Sequence, residues 1–494
     1  MGIIIRQSIT STIFTYLGVV VGYVNILILF PKYMSPEEVG LTRTIQDAAM
    51  LLVPFVQLGV SQLTIKYFPK YYGKTFYGEF VSLIFGLFLI AAIIFTIFFL
   101  LFKNEIAGYF STNSELVNNY LFYILGLALL LSLHQVLVAY AQSLHNIVLP
   151  NFLKEVTLRA FTLIDILLFA LKVINFHTFI NVLVVAYAFN LVILAIYLTS
   201  RNALQYSFNW RFIQWGVVKE MITYSLFTFL GAGGILIIGK VDSIMVAGMI
   251  NLDANAVYTT AFYIAVLIEL PKRAVAQIGM PIVSKAFKDN NIEEVQSIYA
   301  KSSINNLIIG SLLFIGIWIN LDNIFLLIPN NEVYALGKYV VLIVGAGKLI
   351  DMAAGINGEI IVMSKHYRVN VYLIVLMTIF TITANYYLIP LYGLEGAAIG
   401  SAVALLLFNF GKYLFLLLKE KIQPFSVQTL KVVLIAAITA FVGLELPYMG
   451  NVIIDILVRS TIATTVFAGL IIWLKPSEDV EMLLKQALVR FKNS

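Results

Sequence analysis

Cysteine is absent from this chain of 494 residues, histidine occurs only four times, and charged residues make up 12%. The first absence excludes a disulfide framework, a thiolate nucleophile and cysteine-ligated zinc, and four scattered histidines are a poor basis for a metal cage. The scarcity of charge excludes more, because even a large soluble domain needs polar groups over most of its exterior. Hydrophobic residues reach 61% and the mean hydropathy is +0.93. Lipid must be the solvent for much of this surface.

The formal net charge of +6 does not point to nucleic acid, since the 32 basic residues lie in short clusters between apolar runs. Runs long enough to cross an apolar layer about 30 Å thick fall at 8–30, 42–65, 77–101, 117–141, 153–174, 178–198, 220–249, 256–282, 303–321, 338–362, 369–389, 395–418, 430–448 and 452–474. An all-α polytopic membrane protein of fourteen transmembrane helices is expected. The first run follows Arg6, is too long for a signal-peptide core and lacks a small-x-small cleavage site, so it is expected to stay in the mature chain.

Basic residues also set the orientation, because cytoplasmic loops retain Lys and Arg. A cytoplasmic N-terminus collects twenty of the 32 on that side against four outside (Lys32, Lys103, Lys172 and Lys338), with eight inside the spans. Both termini are therefore expected in the cytoplasm. Self-similarity adds an internal plan: FTYLG at 14–18 matches FTFLG at 227–231, Pro54 falls opposite Pro271, MSPEEVG at 34–40 resembles NLDANAVY at 251–258, and AFN at 188–190 matches LFN at 407–409. Matches in this constant order suggest two parallel six-helix halves, 1–212 and 213–422, related by an axis along the membrane normal, with 423–494 appended.

A 6 + 6 + 2 plan, SPEEVG after the first span and GLEGAAIG at 393–400 together resemble the polysaccharide-exporter branch of the multidrug/oligosaccharidyl-lipid/polysaccharide (MOP) exporter superfamily. The resemblance covers nearly the whole chain. It is nearest to the Wzx-type O-antigen and capsule flippases, with flippases of the MurJ type more distant. It implies a V-shaped pair of bundles in a bacterial inner membrane, both ends cytoplasmic, that works as a monomer without a cofactor. The implied cargo is an undecaprenyl-pyrophosphate-linked oligosaccharide for O-antigen, capsule or exopolysaccharide, with H⁺ or Na⁺ as coupling ion and membrane lipid as the other partner. No catalytic residue and no metal site is expected.

Ionisable residues at bilayer depth each cost a few kcal/mol, so they face a bundle interior or a wet cavity. The run 256–282 carries Glu269, Pro271, Lys272 and Arg273 at its middle, and one carboxylate there cannot neutralise two cations. A lipid pyrophosphate needs such compensation while its headgroup crosses a low-dielectric layer. Lys348 with Asp351, Lys240 with Asp242, and Arg43 with Asp47 are the next candidate substrate contacts. The bland alternative is self-neutralisation: Arg43 with Asp47, Arg159 with Glu155 and Arg459 with Asp455 all have the spacing of pairs on one helical face. Pro54 and Pro271 are candidate hinges, each placed where a helix can bend.

Gly18 with Gly22 and Gly396 with Gly400 have the small-xxx-small spacing of close helix packing. His134 reads as an interhelical hydrogen-bonding group. GKT at 73–75 is not a phosphate-binding loop, because Phe68 stands where that motif requires glycine. Two rival functions remain. A multidrug or cation antiporter of the same superfamily should carry a carboxylate in the first span, and 8–30 has none. A membrane polysaccharide polymerase or ligase should carry a sizeable outer loop, and the longest here is 103–116.

Overall fold

The computed structural model describes residues 2–208, 215–480 and 482. The half boundary expected at 212–213 and the basic residues Arg211, Lys485, Arg490 and Lys492 lie outside the described residues. Among the described residues every regular element is a helix. The chain divides into two compact units, Met1–Ala256 and Val257–Ser494.

The principal helices of the first unit are α1 (Gly2–Tyr23, prolonged through a π-helical turn to Tyr33), α2 (Pro36–Gln57), α3 (Val60–Tyr71), α4 (Tyr77–Leu101), α5 (Leu121–Ser143), α6 (Leu158–Ala170), α7 (Phe176–Ser200) and α8 (Trp215–Met249). The SPEE sequence proves to be a helix start. The Ser35 side chain accepts from the Glu38 N–H at 3.2 Å, the Ser35 N–H donates to the Glu38 carboxylate at 2.9 Å, and Pro36 occupies the first turn, where its missing N–H is not needed. Helix α2 ends three residues beyond Pro54. Leu58 and Gly59 both take positive φ (44° and 80°), and α3 then resumes the chain direction. The exposed Leu58 carbonyl accepts from Ser225 Oγ at 2.6 Å, which satisfies a backbone group that lipid could not. A Cβ on Gly59 would strike the Ser225 carbonyl, so this break needs glycine for both reasons.

Helix α9 (Leu252–Val266) carries the chain into the second unit, which holds α10 (Leu270–Lys288), α11 (Ile292–Ile319), α12 (Lys338–Ala353), α13 (Tyr367–Phe415), α14 (Val427–Leu444) and α15 (Val452–Leu474). One apolar core joins α10, α11, the short helix Asn357–Met363 and the π-helical turn after α13 through Val283, Tyr299, Ile360 and Leu416. Another sets α14 and α15 against α11 through Ile308, Ile315, Ile435 and Phe467. Arg459 locks the last two helices together: it donates to Asp455 at 2.7 Å and to the carbonyls of Gly443 and Leu446 at 3.1 and 2.6 Å.

Twelve helical runs among the described residues are long and apolar enough to cross a membrane. Two of the fourteen expected spans account for the difference. The runs expected at 369–389 and 395–418 merge into one of 54 residues, Tyr367–Glu420. Straight, it would be about 80 Å long, more than twice the apolar layer. Gly393 (φ 60°, ψ −131°) instead turns it back on itself. The limbs touch so closely that a Cβ on Gly396 would strike the Leu388 carbonyl and one on Gly400 the Asn385 side chain, which is the packing role their spacing suggested. The run expected at 153–174 is made of a π-helical turn, Leu153–Thr157, followed by α6 of 13 residues. Gly18 and Gly22 pack there, against Glu155 and Arg159.

Candidate functional site

In the second unit the expected charges converge where α9 gives way to α10. Helix α9 tightens into a 3₁₀ turn, Leu267–Glu269, and Pro271 stands in the first turn of α10. The run expected at 256–282 is thus part of one helical span, Leu252–Lys288, that tightens to a 3₁₀ turn just before Pro271. Pro271 sits where a missing N–H leaves nothing unpaired. Glu269 and Lys272 reach α12 from here, whereas Arg273 turns back to Glu269.

Glu269 bridges two cations. One carboxylate oxygen accepts from Arg273 at 3.0 Å, one turn along, and the other meets Lys348 Nζ of α12 at 2.5 Å. Lys272 turns to a different acid. Its Nζ donates to Asp351 Oδ2 at 2.6 Å and to the Asp351 carbonyl at 3.0 Å. The second Asp351 oxygen accepts from Asn409 Nδ2 of α13 at 2.9 Å, and the Asn409 oxygen accepts from Asn357 at 3.0 Å. Lys412 lies one turn beyond Asn409, 4% exposed, with its ammonium 3.9 Å from the centre of the Phe408 ring.

Both cations expected to compete for Glu269 therefore have carboxylate partners, and the positive excess arises differently. Lys272, Arg273, Lys348 and Lys412 face Glu269 and Asp351, with Glu359 acting on Lys412 from beyond ion-pair distance. The side chains of Lys272, Asp351, Lys348 and Glu269 are 13–19% exposed, whereas that of Arg273 is 64% exposed. Arg273 is the open end of a mostly buried cluster.

The remaining expected residues gather in the first unit. Lys240 Nζ of α8 meets Asp47 Oδ1 of α2 at 2.5 Å. Arg43 donates to Gln46 at 3.4 Å and lies over the Phe30 ring, 5.1 Å from its centre. Arg43, Asp47 and Asp242 are all buried. Pro54 packs against α8 near Gly233. The pairs at helical spacing, Arg159 with Glu155 and Arg459 with Asp455, do form, at 2.9 and 2.7 Å.

Sequence reasoning missed Lys412, Asn409 and Asn357 as members of the cluster. A signal was present: Lys412 is the only lysine or arginine in the run 395–418. Among the described residues no group of three or more His, Asp or Glu side chains is placed to hold a metal.

A family model described as polysaccharide biosynthesis protein matches residues 4–287, more than half of the chain. The chain belongs to the polysaccharide biosynthesis protein family. No match is found among the curated proteins. Among solved structures it is similar to the lipid II flippase MurJ in an inward closed conformation, at 14% identity and a TM-score of 0.78 over 94% of this chain and 99% of that one. A multidrug resistance MATE family transporter of the MOP superfamily, inward-facing, aligns at 14% identity and a TM-score of 0.64 over 81% and 93%. A Vibrio cholerae MATE transporter in its bent form aligns at 14% identity and 0.54 over 84% and 97%. At these identities the likeness is one of fold. This member of the family is a multi-pass helical membrane protein with the fold of MOP-superfamily transporters, in keeping with the resemblance drawn from its sequence.

Proposed function

We propose that this protein is a flippase that carries an undecaprenyl-pyrophosphate-linked oligosaccharide from the cytoplasmic to the outer leaflet of a bacterial inner membrane, for O-antigen, capsule or exopolysaccharide synthesis. The observation that carries the reading is the cation-rich cluster around Lys272, Arg273, Lys348 and Asp351 in a chain of the polysaccharide family. A pyrophosphate brings two or more negative charges to such a cluster, and charge-assisted hydrogen bonds from lysine and arginine are what can hold it out of water. The open Arg273 makes the first contact, and Lys272 and Lys348 follow by leaving their acids. Lys240 with Asp242, and Arg43 with Asp47, are the candidate substrate contacts of the first unit.

The transport cycle in this reading is alternating access by a monomer with fourteen spans and both termini cytoplasmic, driven by H⁺ or Na⁺. Residues 1–212 rock against 213–422, Pro54 and Pro271 mark the hinges, and 423–494 stay outside the moving parts. Membrane lipid surrounds the chain, and no covalent chemistry is required of it. The likeness to a lipid II flippase supports a cargo of this class, and the family favours it over the multidrug cargo of the MATE relatives.

The test is Lys272→Gln together with Arg273→Gln in a strain that depends on this protein for surface glycan. The double variant is expected at normal membrane levels, with lipid-linked units accumulating inside and surface glycan lost. Normal export by that variant, or its disappearance from the membrane, would replace the ligand role with one in packing.

A further inference from the structure

We propose that Lys412 is the reserve partner of Asp351, a positioning residue that takes over this carboxylate when an anion draws Lys272 away. The inference rests on the flippase reading and adds to it the means by which the cluster changes partners.

Asp351 is held from two sides. Lys272 occupies Oδ2 at 2.6 Å and Asn409 occupies Oδ1 at 2.9 Å. An anion that binds Lys272 leaves Oδ2 without a partner, in a place where a bare carboxylate is strongly disfavoured. That penalty would oppose binding unless a second cation could replace the first. Lys412 is the cation so placed: it is buried one turn beyond Asn409 on α13, and Asn409 holds the other Asp351 oxygen at 2.9 Å. It is buried, yet no carboxylate lies within ion-pair distance of it among the described residues, and its ammonium rests on the Phe408 ring at 3.9 Å. Burying a lysine in this way is unfavourable by itself, so a lysine kept there calls for a function.

Gly358 packs beneath the ammonium, where a Cβ would stand 3.6 Å from the Lys412 Nζ. Asn409 stays fixed meanwhile, because Asn357 donates to its oxygen at 3.0 Å and its own amide also donates to the Leu405 carbonyl at 3.0 Å. Asp351 therefore keeps its position while its cation changes. Glu359 is the other acid acting on Lys412, and it makes no ion pair with it. Lys412 is 4% exposed where the Arg273 side chain is 64% exposed, so the anion meets Arg273 from the open side and Lys412 stands behind Asp351.

The full-length protein in nanodiscs, titrated with undecaprenyl pyrophosphate and with undecaprenol as the uncharged control, tests the exchange. Lys412→Met is expected to weaken diphosphate binding roughly tenfold to a hundredfold, the worth of one charge-assisted hydrogen bond, and to leave undecaprenol binding unchanged. Adding Asp351→Asn to that variant should restore diphosphate affinity to within about threefold of the wild type, since Lys272 is then free from the start. If Lys412→Met does not accumulate, Lys412→Gln is read in the same way. Wild-type affinity in the single variant overturns the exchange, and so does a loss that Asp351→Asn fails to rescue, which would make Lys412 a direct contact or a packing residue. A wild-type protein that binds diphosphate and alcohol equally overturns the flippase reading. A loss confined to Lys272→Gln overturns the exchange alone.

Discussion

Asp351→Asn probes the centre of the cluster with one changed atom. The carboxylate accepts from Lys272 at 2.6 Å and from Asn409 at 2.9 Å, and its charge also acts on the buried Lys412. An asparagine keeps an oxygen for Asn409 but turns an amide N–H₂ toward the Lys272 ammonium, donor against donor. Two buried cations then lose their counter-charge. Removing one partner of a buried pair costs about 3–5 kcal/mol, because the other charge is left uncompensated. For a unit of this size each kcal/mol moves the melting temperature by about 2–4 °C. The variant should therefore unfold about 6–20 °C below the wild type, measured as loss of the monodisperse peak in detergent after heating. Adding Lys272→Met removes the stranded ammonium and should recover at least half of the loss, because the two positions share one interaction and cannot be additive. Undecaprenyl pyrophosphate should protect Asp351→Asn more than the wild type, since the ligand then supplies the missing charge. A single variant within about 2 °C of the wild type, or a double variant no more stable than the single one, would refute the view that this pair is buried and mutually required.

Two further outcomes test the second unit away from the cluster. Arg459→Met strands the buried Asp455 and two carbonyls that it now caps, at a cost of about 3–5 kcal/mol. Arg459→Lys should recover only part of this, since one ammonium cannot span three acceptors 2.6–3.1 Å from a guanidinium, and proteolysis in the loop between α14 and α15 would report both. Gly396→Val should break the contact at Leu388 and lower the amount of folded protein. Gly469→Ala, where a Cβ meets nothing within 4 Å, should leave it unchanged, and fluorescence-detected size exclusion of the two variants makes the comparison.

The fold was legible in this sequence because lipid imposes long apolar runs, and long runs survive without tertiary information. The folded-back pair at 369–389 and 395–418 was legible as two spans from the polar break and GLEGAAIG between them, even though the backbone is helical almost throughout. The site was legible only in part. Helical spacing finds partners three or four residues apart, which is why Arg159 with Glu155, Arg273 with Glu269 and Arg459 with Asp455 could be read or guessed. It cannot find Lys272 with Asp351, Lys348 with Glu269 or Lys240 with Asp47, each separated by 79 or more positions and paired by packing alone. Lys412 escaped for a related reason: a single lysine in an apolar run looks like a tolerated exception until its neighbours are known.

The pairing of these charges bears on how such a site can work. Four bare cations at bilayer depth would be too costly to bury, and a pyrophosphate that reached them would be held too tightly to leave. Internal carboxylates answer both difficulties. Glu269 and Asp351 pair with Lys348, Arg273 and Lys272, and in the proposed cycle they would compete with the pyrophosphate for the same ammonium and guanidinium groups. Affinity becomes the difference between two strong interactions. A difference of that kind is easily shifted by small movements of α10 against α12, because each ion pair depends steeply on distance in a low dielectric. The 3₁₀ turn just before Pro271 holds Glu269, while Lys272 and Arg273 stand on the first turn of α10. A tilt of α10 about that turn would lengthen the Lys272 contact to Asp351 before it disturbed the Glu269 contact to Lys348. The two acids would then release their cations in sequence rather than together.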